Sequence, residues 1–467
     1  MIRKLFLILT ISIIYPVLLR ADKCCELTLQ IEAPSCAGKY VKFGHYYGLK
    51  SLLIDSARVD DNGKTHFARN VHPGIYLLRV PDGMAYELMV AETSNLTVQM
   101  MGQEDQRVFM VTGNEITEAF NSYLNEVRSL EFVLDSLKLL GDQTESYPEK
   151  LALQRLAKSS RVRMDSITRA YSEKYQGTLL GSYLTSLIPI KLPSFTIPPG
   201  ISNPDSFRWK QSHQYFQKHY LDHVNFEDNG LIYTPVLEDK VISYFDRIIE
   251  QRPVLICEAV DTLLLKLKDP EVSEYLTGML LEKYGRAKHK ALDEYVYVHI
   301  IKDYYLSGKA FWADNQEIRL LTEDYNRHKP ASLLQNAPAI SLPDQYNRPQ
   351  SLDQVDSKYT VIIFWDYDCP YCRRALDDLR KVIQRYSHQE IHVFTIFIGE
   401  DVDVWKAFLA RKIPKEWINT RLDGKTSLVR QYNLTQTPAI FLLDSNKTIV
   451  DKNLTAAALD DYLKENM

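Results

Sequence analysis

One stretch decides how the last third of this chain folds: Phe364-Trp-Asp-Tyr-Asp-Cys369-Pro-Tyr-Cys372-Arg-Arg-Ala-Leu-Asp-Asp-Leu379. It continues an apolar run, Tyr359 to Trp365, whose β-branched and aromatic residues predict a buried strand. After Cys372 the apolar residues recur at helical spacing instead, at Leu376, Leu379, Val382, Ile383 and Tyr386. Cys369 is therefore expected where a strand gives way to a helix, with Cys372 one turn inside that helix.

The placement of the two cysteines favours redox chemistry. The first turn of a helix has free backbone N–H groups and a partial positive charge, and both stabilise a thiolate at Cys369, which is the attacking form. Arg373 and Arg374 add positive charge nearby, and Pro370 suits the first helical turn because its missing N–H costs little there. Cys372 lies three residues on, close enough to attack a mixed disulfide on Cys369.

Half of a zinc site is the alternative interpretation of a Cys-x-x-Cys pair. A structural zinc site needs two further ligands. Neither a second Cys-x-x-Cys nor a His pair at ligand spacing follows in the sequence. The sequence therefore predicts a redox-active disulfide, Cys369–Cys372, with no metal and no cofactor.

Residues 331–467 resemble a thioredoxin-fold domain of the TlpA/ResA type. The segment Asn336-Ala-Pro-Ala-Ile-Ser-Leu342 resembles the entry strand of that family. Phe364-Trp365 and the following Cys-Pro-Tyr-Cys box resemble its active site, and Thr437-Pro438 before an apolar run resembles its cis-proline strand. The resemblance covers the last third of the chain, with the motifs in order.

The resemblance implies a role for each residue of the motifs. Cys369 would attack a substrate disulfide and Cys372 would release the product, while Trp365, Pro370, Tyr371, Thr437 and Pro438 would form the substrate-binding surface. The Thr437–Pro438 bond is expected to be cis and to lie against the Cys369 sulfur. The backbone N–H and C=O of Thr437 would then stay free to pair with an extended substrate.

The sequence departs from the thioredoxin pattern at one position. Thioredoxins carry a buried acid on the strand before the active site, near the position of Ile363, which cannot relay a proton. Asp366 or Asp368 is the alternative proton acceptor. Peroxiredoxins have Thr and Pro ahead of their cysteine, whereas Asp-Tyr-Asp stands here, which disfavours a peroxiredoxin role.

The direction of electron flow stays open in the sequence. The Cys-Pro-Tyr-Cys box with Thr before the proline also resembles glutaredoxin and DsbG-type sites, so isomerase and oxidase roles remain alternatives. The TlpA/ResA resemblance favours a reductase of envelope proteins such as apocytochromes, supplied by an electron-donor thiol protein. A non-catalytic envelope binding protein is the alternative from another functional class.

Length and composition indicate a multidomain exported protein. A chain of 467 residues is too long for one ordinary core, and three domains are the natural expectation. Hydrophobic residues make up 45% and charged residues 25%, as in soluble globular proteins. The net charge of −4 argues against nucleic acid as a partner, because no strongly basic stripe is available for phosphate contacts.

The first residues predict export to the periplasm or cell envelope. Arg3 and Lys4 precede an apolar run from Leu5 to Leu19 and then Ala21, which is the pattern of a signal peptide over residues 1–21. An uncleaved membrane anchor is the alternative, although the apolar run is short for a membrane span, which needs about 20 residues.

Export changes the interpretation of the remaining cysteines, because disulfides form and persist outside the cytosol. Cys24 or Cys25 is expected to pair with Cys36, and the sequence does not choose between them. Cys257 lies in an apolar helical run, which predicts a buried free thiol.

The predicted fold class is multidomain α+β. Residues 22–112 show short strands and turns typical of a β-sandwich-like domain, and resemble the β-domain ahead of thioredoxin domains in Gram-negative envelope proteins. Residues 115–328 are mainly helical and resemble a poorly characterised region of the same proteins. A polar linker, 328–336, is expected before the α/β thioredoxin fold at 331–467. His45, His66, His72 and His299 are interpreted as packing or surface residues rather than metal ligands.

Overall fold

The protein has a multidomain α+β architecture. The computed structural model describes residues 25–467 apart from 82, 84, 102–107, 288, 289, 423 and 425, so the predicted signal peptide lies outside the described residues. Contacts divide the chain into two compact units, the first ending at Tyr244 and the second beginning at Phe245. Within the described part of the chain, no helix is long and apolar enough to span a membrane.

Eight strands open the first unit. They are β1 (Cys25–Glu32), β2 (Tyr40–Tyr47), β3 (Lys50–Arg58), β4 (Lys64–Val71), β5 (Gly74–Arg79), β6 (Ala85–Val90), β7 (Ser94–Met101) and β8 (Val108–Thr112). They form two four-stranded sheets, with strand orders β4-β1-β7-β8 and β3-β2-β5-β6.

The two sheets share one core, which confirms the sandwich-like expectation. Buried residues alternate along β1 with exposed or half-buried ones, because successive side chains of a strand point to opposite faces. Phe43 on β2 stacks on Phe67 of β4 with ring centroids 5.3 Å apart, so an aromatic contact joins the sheets. Cys25 and Cys36 are both buried in this core. Cys24 lies outside the described residues, and the disulfide with Cys36 stays a prediction.

Five helices complete the first unit. They are α1 (Glu115–Gln143), α2 (Tyr147–Lys174), α3 (Leu179–Leu187), α4 (Pro204–His219) and α5 (Pro235–Ser243). Asn114 begins α1 as its N-cap, since its side-chain oxygen accepts from the backbone N–H groups of Ile116 and Thr117. The proline-rich segment 188–203 separates α3 from α4 without helical structure, because proline lacks the backbone N–H that a helix interior needs.

The second unit begins with four more helices: α6 (Pro253–Leu264), α7 (Pro270–Arg286), α8 (Ala291–Ile300) and α9 (Asn315–His328). A π-helical turn, Ile301–Tyr305, extends α8. His299 on α8 bonds Asp261 and Asp303 at 2.9 and 3.0 Å through its two ring nitrogens, so it is a satisfied packing residue as predicted.

The rest of the second unit is a sheet with helices on both faces. Two shorter strands before it, β9 (Ser341–Pro343) and β10 (Pro349–Ser351), pair with each other as a separate antiparallel hairpin. The strands of the sheet itself are β11 (Tyr359–Trp365), β12 (Ile391–Phe397), β13 (Ile418–Arg421), β14 (Ala439–Asp444) and β15 (Ile449–Lys452). Its helices are α10 (Pro370–Ile383), α11 (Val402–Lys412), α12 (Thr426–Gln431) and α13 (Ala456–Asn466). The central sheet has the order β13-β12-β11-β14-β15, in which β11, β12 and β13 run parallel and β14 antiparallel to β11.

Strand β11 is buried along its whole length because the sheet is covered on both faces. Val361, Ile363 and Trp365 enter the core that includes α10 and α13. Ile362 and Phe364 point the other way, into a core with α12 and the β9–β10 hairpin. This alternation explains why the strand appears in the sequence as a continuous apolar run.

The predicted polar linker at 328–336 is packed rather than free. Ala331 and Leu333 are buried in the core on one face of the central sheet. Residues before and after this segment in the chain are part of the same core. The Leu334 N–H donates to the Ile449 carbonyl at 2.9 Å, and His328 is buried. The segment between α9 and β9 is therefore polar in sequence but packed in the structure.

Candidate active site

The candidate active site lies at the end of the central sheet where β11 ends and its neighbour β14 begins. Antiparallel pairing sets Phe364 opposite Ala439, so the residues after β11 lie beside those before β14. Cys369 is the N-cap of α10, and its sulfur accepts from the backbone N–H of Cys372. The chain thus passes from strand to helix where the sequence predicted.

The two cysteines differ in exposure. Cys369 is partly exposed, whereas Cys372 is 0% exposed. The Cys369 Sγ lies 3.3 Å from the Cys372 backbone N–H, which donates to it. The Cys369 thiol in turn donates to the Thr437 carbonyl, also at 3.3 Å. One thiol is therefore accessible to another protein, and the other is held directly beneath it.

The same contacts separate the acidities of the two thiols. Burial would raise the pKa of Cys369, but hydrogen bonds from the Cys372 side chain and backbone, from the Thr437 side chain and from the Tyr371 backbone hold that pKa below its ordinary value. Burial raises the pKa of Cys372 to about 11, and its hydrogen bond with Cys369 acts in the same direction. Cys369 is consequently the thiol that ionises first.

The Thr437–Pro438 peptide bond is cis, as predicted. Contact between the Thr437 carbonyl and the Cys369 sulfur also confirms that this segment lies against the nucleophile. The prediction that the carbonyl of Thr437 stays free was wrong for the thiol form, because that oxygen accepts from Cys369. Ionisation of Cys369 removes the donated proton and frees the carbonyl for another donor.

Two residues between the cysteines face solvent. Pro370 is exposed, and the Tyr371 side chain is 71% exposed, far above what a packed aromatic residue shows. The Arg373 guanidinium lies over the Tyr367 ring, 5.5 Å from its centroid. The residue between Pro370 and Cys372 therefore presents an accessible aromatic ring to solvent, and Arg373 is held over Tyr367.

Trp365 takes a different position from the one the resemblance implies. Its side chain is 0% exposed and packs on Phe397 and Phe408, with centroids 5.1 and 5.2 Å away. Its indole N–H has no hydrogen-bond partner among the described residues. Trp365 therefore supports the site from below instead of lining a substrate surface.

Sequence reasoning missed the contribution of Tyr367. Its ring packs edge-on against Phe408, 5.8 Å between centroids, and both residues border the core that carries Cys369. The sequence does contain a feature that could have indicated this packing. Tyr367 is an aromatic residue between Asp366 and Asp368, in a turn where solvated polar residues are expected.

The acids near the site are not buried like the thioredoxin acid. Ile363 is fully buried, as the sequence comparison implied, and brings no ionisable group. Asp366 is half-buried and accepts from the Asp368 N–H at 3.4 Å, while Asp368 is exposed. Of the two alternatives, only Asp366 lies partly within the protein.

The remaining histidine, cysteine and acidic side chains of the described ranges do not form a metal site. No group of three or more His, Cys, Asp or Glu side chains there has the geometry to hold a metal ion. Cys257 on α6 is a buried free thiol, as predicted. Burial, aided by the carboxylates of Asp261, Asp303 and Glu258, raises its pKa to about 12.

Comparisons with protein families match two segments. Residues 333–452 match the AhpC/TSA family, and residues 152–327 match a domain of unknown function, DUF5106. The first segment coincides with the sheet that carries Cys369. A search of curated proteins finds no match.

Several solved structures are similar to parts of this chain. A thioredoxin-like protein from Bacteroides caccae is 22% identical over 60% of this chain and 100% of its own, with a TM-score of 0.44. A domain of a possible thiol-disulfide isomerase from Cytophaga hutchinsonii is 28% identical over 29% of this chain and 92% of its own, with a TM-score of 0.27. A thiol-disulfide oxidoreductase from Bacteroides fragilis is 20% identical over 28% of this chain and 100% of its own, with a TM-score of 0.27.

The family match, the mixed sheet and the cysteine pair at the start of α10 agree with one another. Residues 333–452 are therefore a thioredoxin-like domain similar to the AhpC/TSA family.

Proposed function

We propose that this protein is an exported thiol–disulfide oxidoreductase that reduces disulfides of envelope proteins through Cys369 and Cys372. The observation that carries the proposal is the asymmetry of the two thiols. Cys369 is accessible, with a lowered pKa, and Cys372 is buried beneath it, with a raised pKa. That pair supplies one group for attack and one for resolution.

The reaction would run in two exchanges. The Cys369 thiolate attacks one sulfur of the substrate disulfide, so that an S–S bond forms between enzyme and substrate and one substrate thiolate leaves. Cys372 then loses its proton and attacks the Cys369 sulfur, which releases the second substrate thiolate. The substrate has gained two electrons, and the enzyme holds the Cys369–Cys372 disulfide until a donor dithiol reduces it.

The surface around Cys369 suits an extended polypeptide as substrate. The Thr437 carbonyl lies against the nucleophile and becomes available when Cys369 ionises. Tyr371 presents an exposed ring beside it, and Pro370 and Pro438 border the site without backbone N–H donors. A substrate strand would bind by main-chain contacts to Thr437, with its disulfide over Cys369.

Insulin reduction by purified protein with a dithiol donor tests the proposal. The wild-type protein is expected to precipitate the insulin B chain. Cys369→Ser should abolish this activity, and Cys372→Ser should instead accumulate mixed disulfides. Activity of Cys369→Ser equal to that of the wild type would refute the assigned nucleophile, and an inactive but folded wild type would favour the binding-protein alternative.

Isomerisation and peroxide reduction are separated by parallel assays. An isomerase needs Cys369 but tolerates Cys372→Ser in refolding of a scrambled disulfide protein, whereas a reductase needs both. Peroxide reduction stays disfavoured because Asp366-Tyr367-Asp368 precede the nucleophile in place of the peroxiredoxin Thr and Pro. Trapping partners on Cys372→Ser in a periplasmic extract would identify the envelope substrates and the donor.

A further inference from the structure

Helices α1 and α2 form an antiparallel hairpin that uses only one side of α1. The Tyr123 hydroxyl lies 3.2 Å from that of Thr168, and the Tyr171 hydroxyl donates to Glu126 at 2.7 Å. Near the far end, a side chain at Gly141 would meet Leu153 at 4.0 Å. The opposite side of α1 has no partner helix within the described first unit. A solvent-facing helix surface usually carries charged residues, but this one does not.

That opposite side has a regular pattern, which we call the outer seam. Its six residues recur at alternating steps of four and three: Asn125, Ser129, Phe132, Ser136, Leu139 and Gln143. A repeat averaging 3.5 residues keeps one stripe facing a partner helix, as in a coiled coil. Two of the six residues, Phe132 and Leu139, are apolar, and the other four are small or uncharged polar residues. None of the six is charged, and Phe132 and Leu139 remain 75% and 62% exposed. Large apolar residues at such exposure are a feature of interaction surfaces.

The outer seam is complementary to itself when two copies run antiparallel. Pairing about the level of Leu134 sets Phe132 opposite Ser136 of the second copy and Leu139 opposite Ser129 of the second copy. Asn125 then meets Gln143 of the second copy, so the polar residues pair at both ends. Large residues facing small ones fill such an interface without voids.

The serines of the seam tolerate burial. The Ser129 hydroxyl donates to the Glu126 carbonyl at 2.7 Å, and the Ser136 hydroxyl donates to the Phe132 carbonyl at 2.9 Å. Both donors are satisfied within their own helix, so covering them leaves no unpaired group.

The charges beside the seam fit the same arrangement. Arg128, Asp135 and Asp142 recur every seven residues along one flank. The Arg128 guanidinium is 45% exposed and lies 3.8 Å from the Glu87 carboxylate of its own copy. In the antiparallel pairing it also comes near Asp142 of the second copy, and this contact occurs twice. Asp135 lies near its own symmetry mate, which is the one repulsive contact on this flank. The other flank carries Val133 and Leu140, which are 42% and 53% exposed.

We propose that this protein forms a homodimer through the outer seam, as an antiparallel coiled coil of α1 from two copies. A two-fold interface uses the same surface on both partners, and the seam meets that requirement residue by residue. The segment 125–143 spans about 27 Å of helix. An interface of this length is short, so a dissociation constant in the micromolar range is expected.

Sedimentation velocity of the full protein across micromolar concentrations tests the proposal. We expect a reversible monomer–dimer equilibrium. Leu139→Glu should raise the dimer dissociation constant roughly tenfold or more, since it buries a charge against Ser129 of the second copy, in both symmetric halves of the interface. Leu156→Glu is the matched control, because Leu156 on α2 is 56% exposed and lies outside the seam. Circular dichroism of each variant verifies folding.

A charge exchange tests the direction of the helices. Asp142→Arg should weaken the dimer, and adding Arg128→Asp should restore it, because the two positions meet only in the antiparallel pairing. Asp135→Asn should strengthen the dimer. The proposed interface is refuted if the protein stays monomeric at all concentrations. It is also refuted if the Leu139→Glu variant dimerises like the wild type. Failure of the double variant to recover overturns the antiparallel arrangement.

Discussion

The backbone N–H of Cys372 donates to the sulfur of Cys369 across 3.3 Å. A donor at this distance stabilises the negative charge of a thiolate. The N–H group does not have to move when Cys369 ionises, because the first turn of α10 already holds it in place. The same contact orients the buried Cys372 beneath the accessible Cys369. One helical turn thus sets both the acidity of the nucleophile and the position of the resolving thiol.

The first prediction concerns the order of thiol labelling. Iodoacetamide applied to the reduced protein at and below neutral pH should label Cys369 first, because its pKa lies below the ordinary thiol value. Cys372 and Cys257 should react only near pH 11 or after unfolding, since burial raises both pKa values. Peptide mass mapping over time provides the measurement. Earlier labelling of Cys372 would reverse the assigned roles.

The second prediction addresses Thr437. Thr437→Val removes a hydrogen bond that lowers the pKa of Cys369, while keeping the shape of the side chain. The pKa of Cys369 should rise, and labelling below that pKa should slow roughly two- to tenfold. Thr435→Val is the control, because Thr435 is exposed and lies two residues earlier. Equal rates for the two variants would remove Thr437 from the list of groups that tune the nucleophile.

The third prediction follows from the sign of the Cys369 pKa shift. A group whose pKa is lower in the folded than in the unfolded protein stabilises the fold above its unfolded pKa, and this contribution disappears as pH falls through the folded pKa. The unfolding free energy of the reduced wild type relative to Cys369→Ser should therefore grow as pH rises toward 9, the ordinary thiol value. Urea unfolding at several pH values measures the difference. A difference that stays constant with pH would contradict the lowered pKa.

The fourth prediction concerns a buried ionic cluster that joins α8 to β15. The Lys452 ammonium contacts the Glu294 carboxylate, both side chains being at most 3% exposed, and donates to the Ala331 carbonyl at 2.8 Å. His328 bonds the other Glu294 oxygen at 2.6 Å. Lys452→Met leaves a buried carboxylate without its ammonium partner and should cost about 3–5 kcal/mol of unfolding free energy.

An exposed ion pair in the same unit is the control for that substitution. Lys464 lies 2.8 Å from Asp460 with its side chain 56% exposed, so water screens this pair and Lys464→Met should cost far less unfolding free energy than Lys452→Met. Urea denaturation followed by circular dichroism compares the two. Similar losses for both variants would mean that the buried cluster adds nothing specific.

The fifth prediction compares two fragments of the chain. Residues 331–467 contain the whole central sheet and α10 to α13, so this fragment should unfold cooperatively and keep dithiol activity. It lacks Glu294 and His328, however, and leaves Lys452 without its carboxylate. Residues 245–467 should therefore melt at a higher temperature than 331–467 in calorimetry. Equal melting temperatures would show that α8 and α9 do not stabilise the sheet.

The sequence by itself determined the local features of the candidate site. A continuous apolar run can be buried on both faces only in a covered sheet, so Tyr359 to Trp365 predicted β11. The change to helical spacing after Cys372 fixed the start of α10, and with it the order of the two thiols. Local periodicity and the chemistry of helix starts are sufficient for these inferences, because both depend on neighbouring residues.

Contacts between distant residues decided what the sequence left open or predicted wrongly. The Thr437 carbonyl meets the Cys369 sulfur only because β14 pairs antiparallel with β11, across 68 positions of the chain. Trp365 is buried because Phe397 and Phe408 reach it from β12 and α11. The polar segment 328–336 packs because Glu294 and Lys452 bring charged partners to it. Such pairings depend on the summed free energy of burial over the whole unit, which no local pattern encodes.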